Sequence, residues 1–250
     1  MIAVKNSREL GFMQRACAIA AKALRLAGEA VEPGVNTAAL DRLIRQYIES
    51  QGATPSFLGY GGFPASACIS LNNTVIHGIP SQHTVIKNGD IVSIDVGALL
   101  DGYHGDNAAT FAAGDISPDA KALLEATEGS LYEGIAAAQS GGRVGDISAA
   151  VQRYVEDRGY SVVRQFVGHG VGTALHEDPG VPNFGTPGRG PRLVPGMTLA
   201  IEPMVNAGGY QVTVLPDKWT VVTADGSLSA HFEHTVAVTA NGPVILTLAQ

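Results

Sequence analysis

An internal repeat constrains the fold of this chain more than any other feature of its sequence. Tyr154 follows Tyr47 by 107 residues, and Glu202 follows Asp95 by the same 107 residues. The offset also aligns Ile48 with Val155, Glu49 with Glu156, Gly52 with Gly159, Gly61 with Gly168, Gly89 with Gly196 and Ile94 with Ile201. An offset that holds across a helix, a glycine loop and a strand indicates a duplication. We therefore expect a single domain over 1–250 with two similar halves, roughly 1–115 and 116–250.

Each half is predicted to contain two helices and several strands. Four residues are predicted to cap or begin helices: Ser7, Thr37, Ser117 and Asp146. Alternating apolar and polar residues predict strands within 89–114, 196–206 and 227–239, the first of them with a turn at Asp101–Gly102. This mixture predicts an α+β protein in which helices cover one face of a curved antiparallel sheet.

The composition of the chain excludes several classes of protein. A net charge of −7 provides no basic surplus for phosphates, so nucleic acid is not expected as the main partner. The two cysteines, Cys17 and Cys68, do not predict a disulfide framework and favour a reducing compartment. We see no signal peptide and no apolar run of about 20 residues that would span a bilayer. A cytoplasmic protein without a membrane partner is expected.

Four acids occupy positions where the strand pattern predicts burial, and this is costly for carboxylates. They are Asp95, Asp106, Glu202 and Glu233, and no Lys or Arg lies next to them in the sequence. Each acid taken alone is best interpreted as a residue at a strand end or turn. Taken together, they would repel one another unless cations compensated them. With one imidazole, His169, they predict a site for one or two divalent ions, with Mn, Fe(II), Co and Zn favoured.

The glycine-rich segment 167–184 contains His169 and His176. Its glycines weaken a helix and allow the backbone to approach a small charged group. An isolated buried histidine is more often structural than functional, and this alternative applies to His77 and His176 as single residues. Lesser roles are predicted for the other histidines: support of neighbouring acids for His104 and His231, and a structural role for His83 and His234.

At these residues the chain resembles the type I methionine aminopeptidases. The resemblance is carried by "VIHGIP", "GDIVSIDVGALLDGYHGD", "VGHGVGTALHEDPGVPNF", "GMTLAIEPM" and "SLSAHFEHT". It covers nearly the whole chain and implies the pita-bread fold, in which two pseudo-symmetric halves form one catalytic domain around a dinuclear metal centre. It also implies an enzyme that removes the N-terminal methionine from peptides and nascent chains, and we expect it to act as a monomer.

The resemblance assigns a role to each candidate metal ligand. It implies that Asp95 chelates one ion and that His169 and Glu202 bind the other. Asp106 and Glu233 are implied to bridge the two ions. The implied reaction is attack by hydroxide from the dinuclear centre, with Glu202 handling the proton of the bridging water.

The same resemblance implies the residues that contact the substrate and a further ion. His77 and His176 are expected to hold the nitrogen and carbonyl oxygen of the scissile peptide. The implied methionine pocket consists of Phe57, Tyr60, Phe63, Cys68, Leu175 and Trp219. Phe57, Phe63 and Leu175 depart from the small residue, tyrosine and phenylalanine common in the family. A monovalent cation is implied near Asn72, Thr74 and Ser229.

Two other functions remain open from the sequence. A prolidase-like or Xaa-Pro aminopeptidase of the same fold would usually carry an additional N-terminal domain, whereas 94 residues precede Asp95 here. A non-catalytic binding paralogue would be expected to lose metal ligands, and all five are present. Peptides that begin with Met or with Xaa-Pro distinguish these alternatives.

Overall fold

The helices of the computed structural model, which describes residues 2–248, occur as one pair in each half. They are α1 (Ser7–Glu29), α2 (Thr37–Ser50), α3 (Pro118–Ala137) and α4 (Val144–Glu156), and a short 3-10 helix spans Tyr60–Gly62. Ser117 caps α3 as predicted, because its side chain accepts a hydrogen bond from the Ala120 N–H.

Two of the predicted helix caps are wrong by one or a few residues. Asn6 rather than Ser7 caps α1, accepting from the backbone of Arg8 and Glu9 while the Glu9 carboxylate accepts from the Asn6 N–H. Asp146 lies inside the first turn of α4, where it accepts a hydrogen bond from the Arg143 N–H. An acid at either position stabilises a helix start, so composition alone does not distinguish them.

The strands form one large sheet and two small ones. In chain order they are β1 (Thr54–Pro55), β2 (Ala67–Leu71), β3 (Thr74–Ile76), β4 (Ile91–Leu100), β5 (Tyr103–Ala112), β6 (Ser161–Val162), β7 (Gly168–Gly170), β8 (Glu177–Val181), β9 (Thr198–Ile201), β10 (Met204–Asn206), β11 (Val212–Val214), β12 (Val221–Thr223), β13 (Ser229–His231), β14 (Glu233–Thr239) and β15 (Gly242–Ile245). The large sheet has the order β1-β4-β5-β14-β9-β7-β8, with β2 also on β4 and β15 also on β14. All of its pairings are antiparallel. The predicted α+β class and antiparallel sheet are confirmed.

The two halves of the sequence meet within this sheet, at the pairing of β5 with β14. There Glu233 lies opposite Ala108, and His234 lies opposite Asn107. We call this pairing the seam. It places one strand of the first half directly beside one strand of the second, so residues of both halves share one face of the sheet.

Alternation along the strands determines which side chains face the helices. On β4, Ile94 and Val96 pack into a core with Ile44 and Ile48 of α2. Each fully buried isoleucine contributes roughly 1.5–3 kcal/mol to stability. Asp95, between two core residues, therefore points to the opposite face. A second core joins α3 and α4 to β9 and β14, so the helices cover one face and leave the other for polar groups.

The strands predicted over 196–206 and 227–239 are each interrupted, the first at an acid and the second just before one. The first divides into β9 and β10 at Glu202 and Pro203, and the second divides into β13 and β14 at Phe232. Pro203 has no N–H to donate to a neighbouring strand, which explains the first interruption. No helix within residues 2–248 combines the length and the apolar character that a bilayer crossing requires.

Candidate active site

The first two acids lie on one β-hairpin. β4 and β5 pair along their whole length around a two-residue turn, Asp101–Gly102, where both residues have positive φ. Asp95 lies opposite Ala108 and Asp106 lies opposite Gly97, so the two carboxylates are diagonal neighbours on one face. The backbone of Asp106 is fixed to Thr235 across the seam by two hydrogen bonds of 3.1 and 2.8 Å.

The glycine-rich segment forms a short strand followed by a loop. β7 lies between β8 and β9 in the sheet. A Cβ atom on Gly168 would lie 2.4 Å from the Ala200 carbonyl oxygen, and one on Gly170 would lie 2.4 Å from that of Asp178. Close approach of neighbouring backbone therefore requires these glycines, and it places His169 between them on the same face as the acids.

One cavity of about 300 Å³ brings the predicted residues together. Its lining contains all five candidate metal ligands, His77, His176 and the six residues of the predicted methionine pocket. His169 Nε2 lies 3.4 Å from Glu202 Oε1 and 3.8 Å from Asp106 Oδ2. Ligand atoms of Asp106, His169 and Glu233 lie within 4.8 Å of one another.

Burial and mutual repulsion disfavour the charged form of the four acids. Burial, with the charges of Asp106 and Glu202, raises the pKa of Asp95 well above its usual range. Burial and Asp106 do the same to the pKa of Glu202, and burial and the other three acids to that of Glu233. Burial raises the pKa of Asp106 to about 7. Protons and cations would therefore compete for this cluster.

The donor set fits divalent cations. Asp95 Oδ1, Asp106 Oδ1 and Glu233 Oε1 are buried without a hydrogen-bond partner among the described residues, a condition that is rare for buried polar atoms. His169 Nδ1 lies 2.9 Å from the Gly170 carbonyl, which can only accept, so the proton of the neutral ring is on Nδ1. Burial lowers the pKa of His169 to about 4. Its Nε2 lone pair is therefore available to a metal.

The comparison with known sequences identifies the family. Residues 11–240 match metallopeptidase family M24. The chain belongs to metallopeptidase family M24. It is 55% identical to the methionine aminopeptidase of Clostridium acetobutylicum over 250 residues, covering all of both chains. It is 54% identical to methionine aminopeptidase 1 of Bacillus subtilis over 247 residues, covering 99% of each.

Solved structures agree with this assignment. The M24 chain matches the crystal structure of the methionine aminopeptidase from Thermotoga maritima with a TM-score of 0.97, at 45% identity over 99% of each chain. It matches the prolidase from Pyrococcus horikoshii with a TM-score of 0.80 at 24% identity, covering 99% of this chain and 64% of the other. This second likeness concerns the fold alone. The predicted pita-bread fold and the prediction of a metal-dependent peptidase are confirmed.

The apolar end of the cavity in this M24 peptidase is a cluster of buried side chains. Phe57, Phe63, Cys68 and Leu175 are buried together, and Trp219 packs against them. The rings of Phe63 and Trp219 meet edge to face at 5.2 Å. Phe57 is accommodated because Gly97 has no Cβ, which would lie 2.7 Å from the Phe57 ring.

The two histidines predicted to contact substrate lie between the carboxylates and this apolar cluster. His176 Nδ1 is 2.7 Å from the Tyr60 hydroxyl, and its ring centroid is 4.2 Å from that of His169. His77 has a φ of 58° and lies edge to face with Phe166 and Trp219. Burial lowers the pKa of His77 to about 4, so the neutral imidazole is the form present at neutral pH.

The residues of the predicted monovalent cation site lie on adjacent segments. Ser229 donates its N–H to the Asn72 carbonyl at 2.9 Å, and Thr74 begins β3, which lies beside β13. The Asn72 side chain is occupied by Asp90 and by the Ile91 N–H. The Asn72 side chain is therefore not free to bind a cation there.

Sequence reasoning missed three residues that support the site: Thr235, Lys5 and Glu177. Thr235 fixes Asp106 through the two bonds described above. Lys5 forms an ion pair with Glu177, the residue after His176. Lys5 could have been noticed as a cation within an apolar N-terminal segment. Its partner, 172 positions away, could not have been predicted from the sequence. His104 and His231, predicted as supports, contact Ser56 at 2.8 Å and Glu202 at 3.6 Å respectively.

Proposed function

We propose that this M24 peptidase removes the N-terminal methionine from peptides and nascent chains. The observation that carries the proposal is the single cavity in which a buried carboxylate cluster adjoins an apolar pocket. The relatives that match over nearly their full length are methionine aminopeptidases, which supports the same activity.

The proposed metal centre consists of two divalent ions drawn from Mn, Fe, Co and Zn. Asp95 would hold one ion, His169 with Glu202 the other, and Asp106 and Glu233 would be shared between them. Ions held there would act as Lewis acids and lower the pKa of a bound water from 15.7 toward about 7.

The side chains around this centre have separate tasks. The carboxylates and His169 would hold an ion that can bind the free α-amine of a peptide, which would restrict cleavage to the first residue. Glu202 Oε1 lies 3.4 Å from His169 Nε2 in the cavity, so its carboxylate would be placed to take up the proton that a water loses on attack. When Tyr60 donates to His176 Nδ1, the neutral ring keeps its proton on Nε2. That N–H can then stabilise the developing charge on the carbonyl oxygen, and His77 holds the peptide nitrogen.

The apolar cluster provides the proposed selectivity for methionine. Phe57, Phe63, Cys68, Leu175 and Trp219 surround a space that suits an unbranched thioether. Aromatic rings such as Trp219 make favourable contacts with sulfur. The half-exposed Tyr60 closes the mouth of the pocket and positions His176.

Three subsidiary proposals concern context. A monovalent cation binds near Asn72, Thr74 and Ser229. The protein acts in the cytoplasm as a monomer. Its two free, buried cysteines support a reducing compartment such as the cytoplasm. Its substrates are peptides rather than nucleic acids or membranes, as its net charge of −7 favours.

A peptide assay tests the proposal. The metal-free protein is prepared with a chelator and assayed on Met-Ala-Ser and Ala-Pro-Ser, with and without added Mn²⁺ or Co²⁺. Release of Met from the first peptide only, and only with metal, is expected. Cleavage of Ala-Pro-Ser alone would replace the proposal with a prolidase-like activity, and metal binding without turnover of either peptide would indicate a binding paralogue.

A further inference from the structure

The segment that presents His176 and Leu175 to the cavity is a short connection between β7 and β8. We call residues 171–176 the His176 loop. It is held by a hydrogen bond from the Gly172 N–H to Ala174 and by one of 2.8 Å from the His104 N–H to the Gly172 carbonyl. A loop that positions a group against substrate needs further restraint, because a shift of about 1 Å costs on the order of a hundredfold in rate.

A buried ion pair supplies a restraint at the end of this loop. Lys5 Nζ lies 2.5 Å from Glu177 Oε2, and the two side chains are only 5% and 12% exposed. The other oxygen, Glu177 Oε1, accepts from the Ala174 N–H at 3.2 Å and the Thr173 hydroxyl at 3.4 Å. One carboxylate thus links Lys5 to the backbone just before Leu175 and His176.

Two glycines show that Lys5 is fitted closely into this place. A Cβ on Gly172 would lie 2.5 Å from both Lys5 Cε and Glu177 Oε1, so the ion pair crosses directly over the loop. Gly196, with a φ of 94°, packs against the Lys5 backbone and accepts its N–H at 2.7 Å. Gly196 lies two residues before β9, whose end leads into Glu202.

We propose that Lys5 is a positioning residue for the reaction, acting through its ion pair with Glu177 to hold the His176 loop against the substrate. This inference rests on the proposed function of the cavity. Lys5 has no part in the carboxylate cluster or the apolar pocket, and it acts on His176 and Leu175 from outside the cavity. Removing it leaves Glu177 buried without its cation, so the carboxylate turns toward water and releases Thr173 and Ala174.

Lys5→Met and Glu177→Gln, singly and combined, test this proposal in the metal-loaded enzyme. Each single variant is expected to lower kcat for Met-Ala-Ser by about ten- to a hundredfold, with a smaller change in KM. The double variant is expected to resemble either single variant, because both changes break the same link. Lys5→Met removes a positive charge and Glu177→Gln removes a negative one. A long-range charge effect would therefore change kcat in opposite directions.

Two control variants separate positioning from general destabilisation. Arg45→Met breaks the exposed ion pair with Glu49 at 2.8 Å within α2, a helix that packs against α1, β1 and β2. Leu40→Ala lowers stability through the core of α2. Both are expected to keep kcat within twofold of the unchanged protein, as measured below their unfolding temperatures.

Amide hydrogen exchange of residues 171–176 provides a readout that needs no turnover. Exchange in this loop is expected to become at least tenfold faster in Lys5→Met and in Glu177→Gln, and to stay unchanged in Arg45→Met. Unchanged exchange in the two test variants, kcat within twofold of the unchanged protein, or opposite changes in kcat would overturn the inference. Absence of turnover in the unchanged protein would instead refute the proposed function, and the exchange result would still decide the role of Lys5.

Discussion

The two halves of the molecule bring acids to one face of the sheet by different backbone routes. In the first half, Asp95 and Asp106 are 11 residues apart and lie on one uninterrupted hairpin. In the second half, Glu202 and Glu233 are 31 residues apart, one directly after β9 and the other at the start of β14. A duplicated pattern therefore preserves the location of the charges while its local structure diverges.

The longer segment between the two acids of the second half contains strands that the first half lacks. Residues between Glu202 and Glu233 form β10 to β13, which build two small sheets with β6 and β3. This insert contributes Trp219 to the apolar pocket and His231 beside Glu202. The first half supplies two candidate ligands and most of the apolar pocket, whereas the second supplies three candidate ligands together with Leu175 and Trp219 of the pocket.

The largest effect is expected from substituting one acid in each half, and the two substitutions are expected to have equal consequences. Asp106→Asn and Glu233→Gln should each abolish turnover, a loss beyond the roughly thousandfold that removal of one transition-state donor costs. Calorimetric titration with Mn²⁺ should show weaker binding in both. The metal-free variants should unfold at higher urea concentration than the unchanged protein, because each removes one member of a repelling buried cluster. Near-normal turnover in only one variant would show that the halves are not equivalent.

The next largest effect concerns His176, the histidine predicted to contact substrate that the second half contributes to the site. His176→Ala should lower kcat by roughly a hundred- to a thousandfold while metal affinity stays within a few-fold. Tyr60→Phe should cause a smaller loss of kcat, because the His176 imidazole stays in the site and loses only the hydroxyl beside its Nδ1. Equal losses of metal affinity and kcat in His176→Ala would make it a ligand.

Two glycines, one from each half, are required for different reasons. Gly168 allows close packing of neighbouring backbone, whereas Gly102 adopts a positive φ. Gly168→Ala places a Cβ 2.4 Å from the Ala200 carbonyl and should cost about 1–3 kcal/mol of stability, with loss of activity through His169. Gly102→Ala meets nothing within 4 Å, but its φ is 80°, so roughly 1–2 kcal/mol should be lost with activity kept. Urea unfolding and the peptide assay measure both, and a larger loss of activity in Gly102→Ala would contradict this account.

The smallest expected effect is the pH dependence of the Lys5–Glu177 pair. Burial raises the pKa of Glu177, but hydrogen bonds from Lys5 and the Ala174 N–H outweigh it and hold the pKa below the usual value of 4.5. The folded protein therefore prefers the charged form. Its contribution to stability is present above pH 4.5 and is lost as the pH falls through the lower, folded pKa.

Urea unfolding of the metal-free protein and of Glu177→Gln between pH 7 and pH 3 checks this expectation. The advantage of the unchanged protein should shrink below pH 4.5. A constant difference over the whole range would contradict it.

Periodicity and turn chemistry predicted much of the fold. The turn at Asp101–Gly102 and the cap at Ser117 follow from local sequence, because few other residues suit positive φ or a helix start. The interruptions at Pro203 and Phe232 were not predicted, since alternation of apolar residues continues across them. Whether Asp146 caps α4 or lies within its first turn depends on backbone geometry that composition does not report.

The residues of the candidate site could be predicted from the sequence, but the contacts that hold them in place could not. Buried acids without neighbouring cations indicate metal from sequence alone. The partnership of Lys5 with Glu177 and that of Thr235 with Asp106 join positions 172 and 129 residues apart. Long-range contacts of this kind depend on the packing of whole strands, so no local sequence pattern predicts them.

The seam between β5 and β14 has a consequence for the lifetime of the protein in a cell. Asp106 and Glu233 belong to different halves and lie on the two strands of that pairing. Ligands that bind only the folded state stabilise it, so a supply of divalent ions would also secure the junction of the two halves. Under ion starvation the junction would lose this stabilisation, and the metal-free enzyme would unfold and be degraded more readily than the metal-loaded one.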